Sequence, residues 1–191
     1  MADYTSLSNV KALLNPLGLA TNAADDTAIS QMISAVSAWF DTTGRVFVSA
    51  SATRYYDVPE GPELYVDEYT TLTSITNGDG TSIALTDVIQ MPANKTPKYC
   101  IRIKGTAPAY WVGNGYDTIQ AIAVVAAWGY SAAAPSDVRS AVEGCVVNMY
   151  QARRGQGSEG VAQVTAAGLV ITPKDITPFA QSVYRKYTRT T

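Results

Sequence analysis

Three groups of residues have the types and spacing to do chemistry. Gly155, Gly157 and Gly160 stand as GxGxxG, with Asp175 twenty residues beyond the first glycine, the outline of a dinucleotide-binding fingerprint. That fingerprint needs a strand before it and a helix opening from it, so that amide hydrogens point at a pyrophosphate. Here a predicted helix precedes and small residues follow, which argues against nucleotide binding. Asp57, Glu60, Glu63, Asp67 and Glu68 form an acidic group that could offer oxygen ligands to calcium or a carboxylate pair to a hydrolase. No Asp-x-Asp-x-Asp-Gly order is present, and the group reads as a solvated loop and sheet edge. Tyr184, Arg185, Lys186, Tyr187 and Arg189 interleave cations with aromatics, a pattern that binds phosphate, stacks on bases or docks on an acidic protein surface. Three cations are few for a nucleic-acid reader, so docking on protein is the favoured reading.

The residues that are missing narrow the chemistry further. The chain has no histidine, the usual general acid-base near neutral pH and the commonest metal ligand. Its two cysteines, Cys100 and Cys145, lack metal-ligand spacing, sit among apolar neighbours and are expected to be buried free thiols. No serine or cysteine has an evident base beside it. The expectation is a protein that is not an enzyme and has no cofactor and no metal.

Charge and composition bear on partners. Charged residues make up 16% and apolar residues 47% of the 191 residues, so part of the surface is expected to be covered by neighbouring subunits. Twelve tyrosines against three phenylalanines fit surfaces with one dry and one wet side, such as interfaces, and equally fit ordinary strand surfaces. Residues 1–138 carry 7 basic and 13 acidic side chains, net −6, whereas residues 139–191 carry 7 basic and 3 acidic, net +4. Such asymmetry points to a charged docking segment or nucleic-acid contact. The start MADYTSLSNV has neither a basic cluster nor an apolar run, which predicts a chain made inside the cell and not sent to a membrane.

The elements that must position these residues follow from periodicity. Leu7, Val10, Leu13, Leu14 and Leu17 recur at helical spacing behind Ser6 or Ser8, and Pro16 with Gly18 ends this first helix. A second helix begins at Asp25 and Asp26, carries Ile29, Met32, Ile33, Val36, Trp39 and Phe40 as its stripe, and ends at Gly44. From Arg45 to Trp128 the period becomes two, with strands expected around Val46 and Val48 and over 53–56, 63–66, 71–75, 83–85, 99–103 and 119–128. Asn77-Gly78-Asp79-Gly80 is expected to turn a hairpin with positive φ angles. The apolar run Ala121 to Trp128 predicts a strand covered on both faces. After Trp128-Gly129-Tyr130, Pro135 opens a long helix with Val138, Val142, Cys145, Val146 and Met149 inward, closed by Arg153 and Arg154. Residues 155–172 read as a long flexible loop, and a last helix near Thr177-Pro178 carries Phe179, Val183 and Tyr187 inward. The fold class is α+β: a small bundle of about four helices with an inserted antiparallel sheet or small sandwich. Its expected parts are 1–44, 45–128 and 129–191.

The order of these parts resembles the head-tail connector, or adaptor, proteins of long-tailed bacteriophages. The resemblance lies in the Thr43-Gly44-Arg45 exit of the second helix, the β insertion, and the Trp128-Gly129-Tyr130 corner leading to Pro135-Ser136-Asp137-Val138-Arg139-Ser140-Ala141. A Tyr-Arg-rich C-terminal helix completes it. It implies a structural virion protein, assembled in the host cytoplasm, that forms a homo-oligomeric ring (a dodecamer) under the portal. Such a ring extends the DNA channel, passes duplex DNA without reading its sequence, and meets the next neck, stopper or tail protein, with no membrane involved. By the same resemblance, Tyr184, Arg185, Lys186, Tyr187 and Arg189 are expected to dock on the portal and to order only on docking. Deletion of residues 183–191 is accordingly expected to spare folding. Arg139, Glu143, Tyr150, Arg153 and Arg154 are expected at the ring interface or channel. A ring needs two different sticky faces on each subunit, which low charge and abundant tyrosine can supply. The insertion is much longer than in the smallest members, so no contacts are carried over for residues 50–125. Two alternatives stand beside this reading: a carbohydrate- or surface-binding β module in residues 45–128, and a hydrolase using Glu60 or Glu63.

Overall fold

In a computed structural model, residues 2–19, 22–154, 163–165, 168–170 and 176–189 are described. The chain divides into a helical unit, residues 1–45 with 134–191, and a sheet unit, residues 46–133. The fold is α+β.

In the helical unit α1 (Leu7–Leu14) starts where Ser6 Oγ accepts from the Asn9 amide at 3.3 Å, closing one of the open N–H groups of the first turn. A single 3₁₀ turn, Asn15–Leu17, follows, and Gly18 at φ 70° ends it. Val10 and Leu14, four residues apart on one stripe, are the buried positions of α1; Leu13 and Leu17, expected in the stripe, are exposed, Leu13 lying off the Val10–Leu14 line and Leu17 in the 3₁₀ turn beyond the helix. Helix α2 (Ala23–Asp41) opens with a capping box in which Asn22 and Asp25 exchange side chain to backbone hydrogen bonds. Its buried positions are Ile29, Ile33, Val36, Ser37 and Phe40, and Ser37 Oγ accepts from the Tyr4 amide at 3.1 Å.

Helix α3 (Ser136–Arg153) turns Val138, Ala141, Val142, Cys145, Val146 and Tyr150 inward. Tyr150 takes the place expected for Met149, which is half-buried; the period allows either, Met149 four residues from Cys145 and Tyr150 four from Val146, and the packing around α3 selects Tyr150. Helix α4 (Pro178–Tyr187) is capped by Thr177 and buries Ala180, Val183 and Tyr187. Phe179, expected inward, is 51% exposed; Ala180 and not Phe179 lies three residues before Val183 on the inner face.

Part of the expected 155–172 loop forms a hairpin in which β7 (Gln163–Thr165) pairs with β8 (Gly168–Val170), so that reading is corrected there. The glycines of the GxGxxG pattern and Asp175 lie outside the described residues.

The sheet unit contains β1 (Ala50–Tyr56), β2 (Glu63–Thr76), β3 (Ser82–Ile83), β4 (Val88–Met91), β5 (Lys98–Ile103) and β6 (Ile122–Trp128). The order is β1-β6-β2-β5-β4, every neighbour antiparallel, with β3 on the far end of β2. It is one sheet, not a sandwich. What reads in sequence as two strands, 63–66 and 71–75, is the single 14-residue β2. Its first half pairs with β5 and its second with β6, and it changes register at bulges near Tyr69 and Leu72. Tyr69, fully buried, packs edge-on to Trp128 at 5.9 Å. The expected continuation to Leu85 ends after Ile83, where a 3₁₀ turn leaves Leu85 exposed.

Strand β6 alternates strictly, with Ile122, Val124, Ala126 and Trp128 buried and the residues between them half-buried, so one face and not both is fully covered. The buried face joins Leu64, Leu72, Ile75, Ile101 and Ile103 in one core, closed from outside by Ala107, Ala109 and Trp111. The turn after β2 is held by Asn77, whose side chain donates to Tyr110 O and accepts from the Val112 amide. Gly80 has the expected positive φ of 84°, but Gly78 serves closeness instead. A Cβ there would stand 2.5 Å from the Asn114 nitrogen.

The corner after β6 is also fixed by close approach. Gly129 takes φ 147°, and a Cβ would lie 2.7 Å from Ser49 Cα. Its neighbours lock the turn: the Gly129 amide donates to Glu68 O and the Tyr130 amide to Val46 O.

Candidate docking surface

The basic and aromatic residues of α4 are built into the helical unit. Lys186 Nζ lies 2.7 Å from Asp137 Oδ2 in the first turn of α3, and the Tyr187 hydroxyl donates to the same carboxylate at 3.1 Å. Asp137 Oδ1 also accepts from the Val138 amide at 2.9 Å. Burial pushes the Asp137 carboxyl up, but the hydrogen bonds from Lys186, Val138 and Tyr187 outweigh it and hold the group below the usual carboxylate range. The same contact raises Lys186, through its hydrogen bond to Asp137. Tyr187 is pushed up by burial first and by the Asp137 charge second.

Tyr184 stacks on Trp39 of α2, ring centroids 4.4 Å apart and 25° from parallel, and its hydroxyl meets Thr42 Oγ1 at 3.0 Å. Beyond the helix, Arg45 Nε donates to Tyr187 O at 2.8 Å and the Arg189 amide donates to Thr43 O at 3.2 Å. The segment therefore does not wait for a partner to order. Val183 and Tyr187 belong to the core of the unit, so removal of residues 183–191 would take away buried apolar surface rather than a loose tail. Among the residues that α4 leaves outward are Arg185, Lys186, whose side chain is 63% exposed, and Phe179, beside the small or neutral Pro178, Gln181 and Ser182.

The second expected set divides in the same way. Arg139 and Arg153 are exposed. Glu143 accepts from Thr5 Oγ1 at 2.7 Å, joining α3 to the segment before α1. Arg154 pairs with Asp25 at 3.0 Å and lies over the Tyr150 ring at 5.3 Å, tying the end of α3 to the start of α2. Tyr150 is only 1% exposed and fills the interior of the helical unit, so it offers no surface to a neighbour. Burial raises its hydroxyl.

In the sheet unit the acidic group is dispersed. Asp67 accepts from Arg54 at 2.6 Å and from the Tyr56 hydroxyl at 2.9 Å, Glu63 faces Arg102 at 3.6 Å, and Asp57 accepts from the Gln120 amide at 2.7 Å. Burial lifts Tyr56 to about 12. Among the described residues, no three carboxylate or cysteine side chains converge as metal ligands. Cys100 and Cys145 are both buried, and neither is in a disulfide. Several tyrosines the sequence could not sort, Tyr55, Tyr65, Tyr99, Tyr110 and Tyr116, are exposed on this unit. Tyr110 stands at an open cleft of about 440 Å³ between residues 59–62 and 103–111. No helix among the described residues is long and apolar enough to cross a membrane.

Sequence reasoning found the cations of α4 but missed Asp137 as their holder and Trp39 as the stacking platform. The signal was present: Asp137 and Trp39 each stood in a predicted helix, but nothing in one sequence says which helix ends meet.

No protein-family model and no curated protein matches the chain. Among solved structures it is similar to a chain in the neck of an empty GTA particle, computed with C6 symmetry. The two share 14% sequence identity at a TM-score of 0.59, over 100% of this chain and 94% of that one. At this identity the likeness establishes a shared fold across both units of the chain.

Proposed function

We propose that the chain is a structural, non-catalytic component of the neck of a phage-like particle. One observation carries the reading: the fold corresponds over the whole chain, helical unit and sheet unit alike, to that of a chain in a particle neck. The head-tail connector pattern read from the Thr43 to Ala141 landmarks supports it independently of that likeness.

In this reading several copies form a ring beneath the portal, leave a channel through which duplex DNA passes unread, and present the other side to the next neck or tail protein. The C6 symmetry of the similar neck is compatible with six copies or with the dodecamer. The docking element is α4. Tyr184 and Tyr187 hold it rigidly, and Arg185, Lys186 and Phe179 meet an acidic, partly apolar portal surface. Arg139, Arg153 and Arg154 lie on the surface available to neighbours or channel. Co-sedimentation of the purified chain with portal-bearing capsids tests this: binding that weakens with salt is expected, and equal recovery with capsids lacking portal would overturn it.

A further inference from the structure

The sheet has two ends, and they are finished differently. At one end β4 is four residues long and runs straight into Pro92, and the Lys98 ammonium closes on the carbonyls of Pro92 and Ala93. Short length, proline and lysine are the devices that stop a sheet edge from pairing with another chain. At the other end β1 has none of them. Its seven residues, Ala-Ser-Ala-Thr-Arg-Tyr-Tyr, pair with β6 in unbroken register from Ala50 with Trp128 to Tyr56 with Ile122. No bulge bends it away. Its one charge, Arg54, is drawn to Asp67 at 2.6 Å and over the Trp128 ring at 4.9 Å. The Ala52 carbonyl accepts from the Trp128 indole N–H at 2.8 Å.

The hairpin β7–β8 has the converse problem. Among the described residues its strands pair with each other alone, three residues on three, in a sheet separate from the large one. A two-stranded ribbon of this size is marginal in water on its own. Its sequence nonetheless suits a sheet: from Val161 to Pro173 there is no charged residue, and valine, threonine, leucine and isoleucine recur.

We propose that the β7–β8 hairpin of one copy adds to the outer edge of β1 of the next, which no strand covers among the described residues, so that adjacent subunits share a continuous sheet. The inference rests on the multi-copy assembly proposed above. Main-chain hydrogen bonds supply the attraction, as in other strand additions, and the absence of charge on the ribbon avoids a desolvation cost at the contact. A three-residue strand reaches about 10 Å and β1 about 23 Å, so the hairpin covers nearly half of the edge. The two surfaces differ, which makes the contact head-to-tail, the kind that closes into a ring.

The test uses the full-length chain. Thr53→Cys is combined with Val164→Cys, and separately with Leu169→Cys, because either hairpin strand can be the one that adds. After mild oxidation one double variant gives a ladder of disulfide-linked oligomers on a non-reducing gel, and each single variant stays a monomer there. Cys100 and Cys145 are buried and do not contribute. In parallel, Val164→Pro weakens self-association by at least tenfold in sedimentation, while its circular dichroism and melting temperature match the parent. If the parent assembles and the ladder and the proline effect are both absent, strand addition is wrong and the neck reading stands. If the parent stays monomeric alone and with portal-bearing capsids, both fall.

Discussion

The Lys186 ammonium stands 2.7 Å from Asp137 Oδ2, and the Tyr187 hydroxyl reaches the same carboxylate. One acidic side chain in the first turn of α3 thus holds the end of α4 within the chain itself.

The charges at this junction give it a defined pH range. Asp137 titrates below its ordinary 3.8 in the folded chain, so its contribution is present above that value and is lost as pH falls through the depressed folded pKa. Lys186 is raised above 10.5, so its contribution is present below that value and is lost as pH rises through the raised folded pKa. Thermal melts of the parent and Asp137→Asn should differ most between about pH 5 and 9 and converge at both extremes. A constant difference across the range would exclude an electrostatic role.

Removing the Tyr187 hydroxyl deletes one bond to a charged acceptor while leaving the ring packed. Tyr187→Phe should cost about 1–2 kcal/mol in urea unfolding. Truncation after Ser182 also removes the buried Val183 and the Tyr187 ring, each worth about 1.5–3 kcal/mol of burial, and should lower the urea midpoint far more. Equal stability of the truncated and full chains would mean that α4 is not part of the unit.

Gly129→Ala should destabilise the sheet unit by roughly 1–3 kcal/mol from backbone strain alone, before the clash with Ser49 is relieved. The measurement is the melting transition, with amide exchange at Ser49 and Tyr130 to locate the damage.

Asn77→Ala leaves Tyr110 O and the Val112 amide without the partner they now have. The expected loss is about 2 kcal/mol, with faster proteolysis confined to residues 105–121.

Arg185 is exposed and plays no part in the Asp137 junction. Arg185→Glu should therefore keep the melting temperature within a degree or so and reduce capsid binding most at low ionic strength. A variant that binds as the parent does would remove α4 from the docking surface.

Much of the fold is legible in the residues themselves. Ser6, the Asn22 to Asp25 start, Pro135 and Thr177 mark helix beginnings through local chemistry, and the alternation of Ile122 to Trp128 marks a strand. Positions decided by distant partners are not legible. The bend that makes 63–76 one strand depends on β5 and β6 competing for β2, and the inward turn of Tyr150 depends on which helices surround α3. Strand β4 was missed because Val88 and Ile89 form too short an apolar pair to signal a strand without β5 beside them. For the docking surface the residue types were visible in Tyr184 to Arg189, but which of them face solvent was not. Tyr184 and Tyr187 turn inward because Trp39 and Asp137 receive them.

Cryo-electron microscopy of the purified chain bound to portal-bearing capsids tests the central claim most directly. The neck reading predicts a closed ring of copies coaxial with the portal, with α4 facing it and an open central channel. Density for a single copy, or none at the portal vertex at saturating protein, would contradict it.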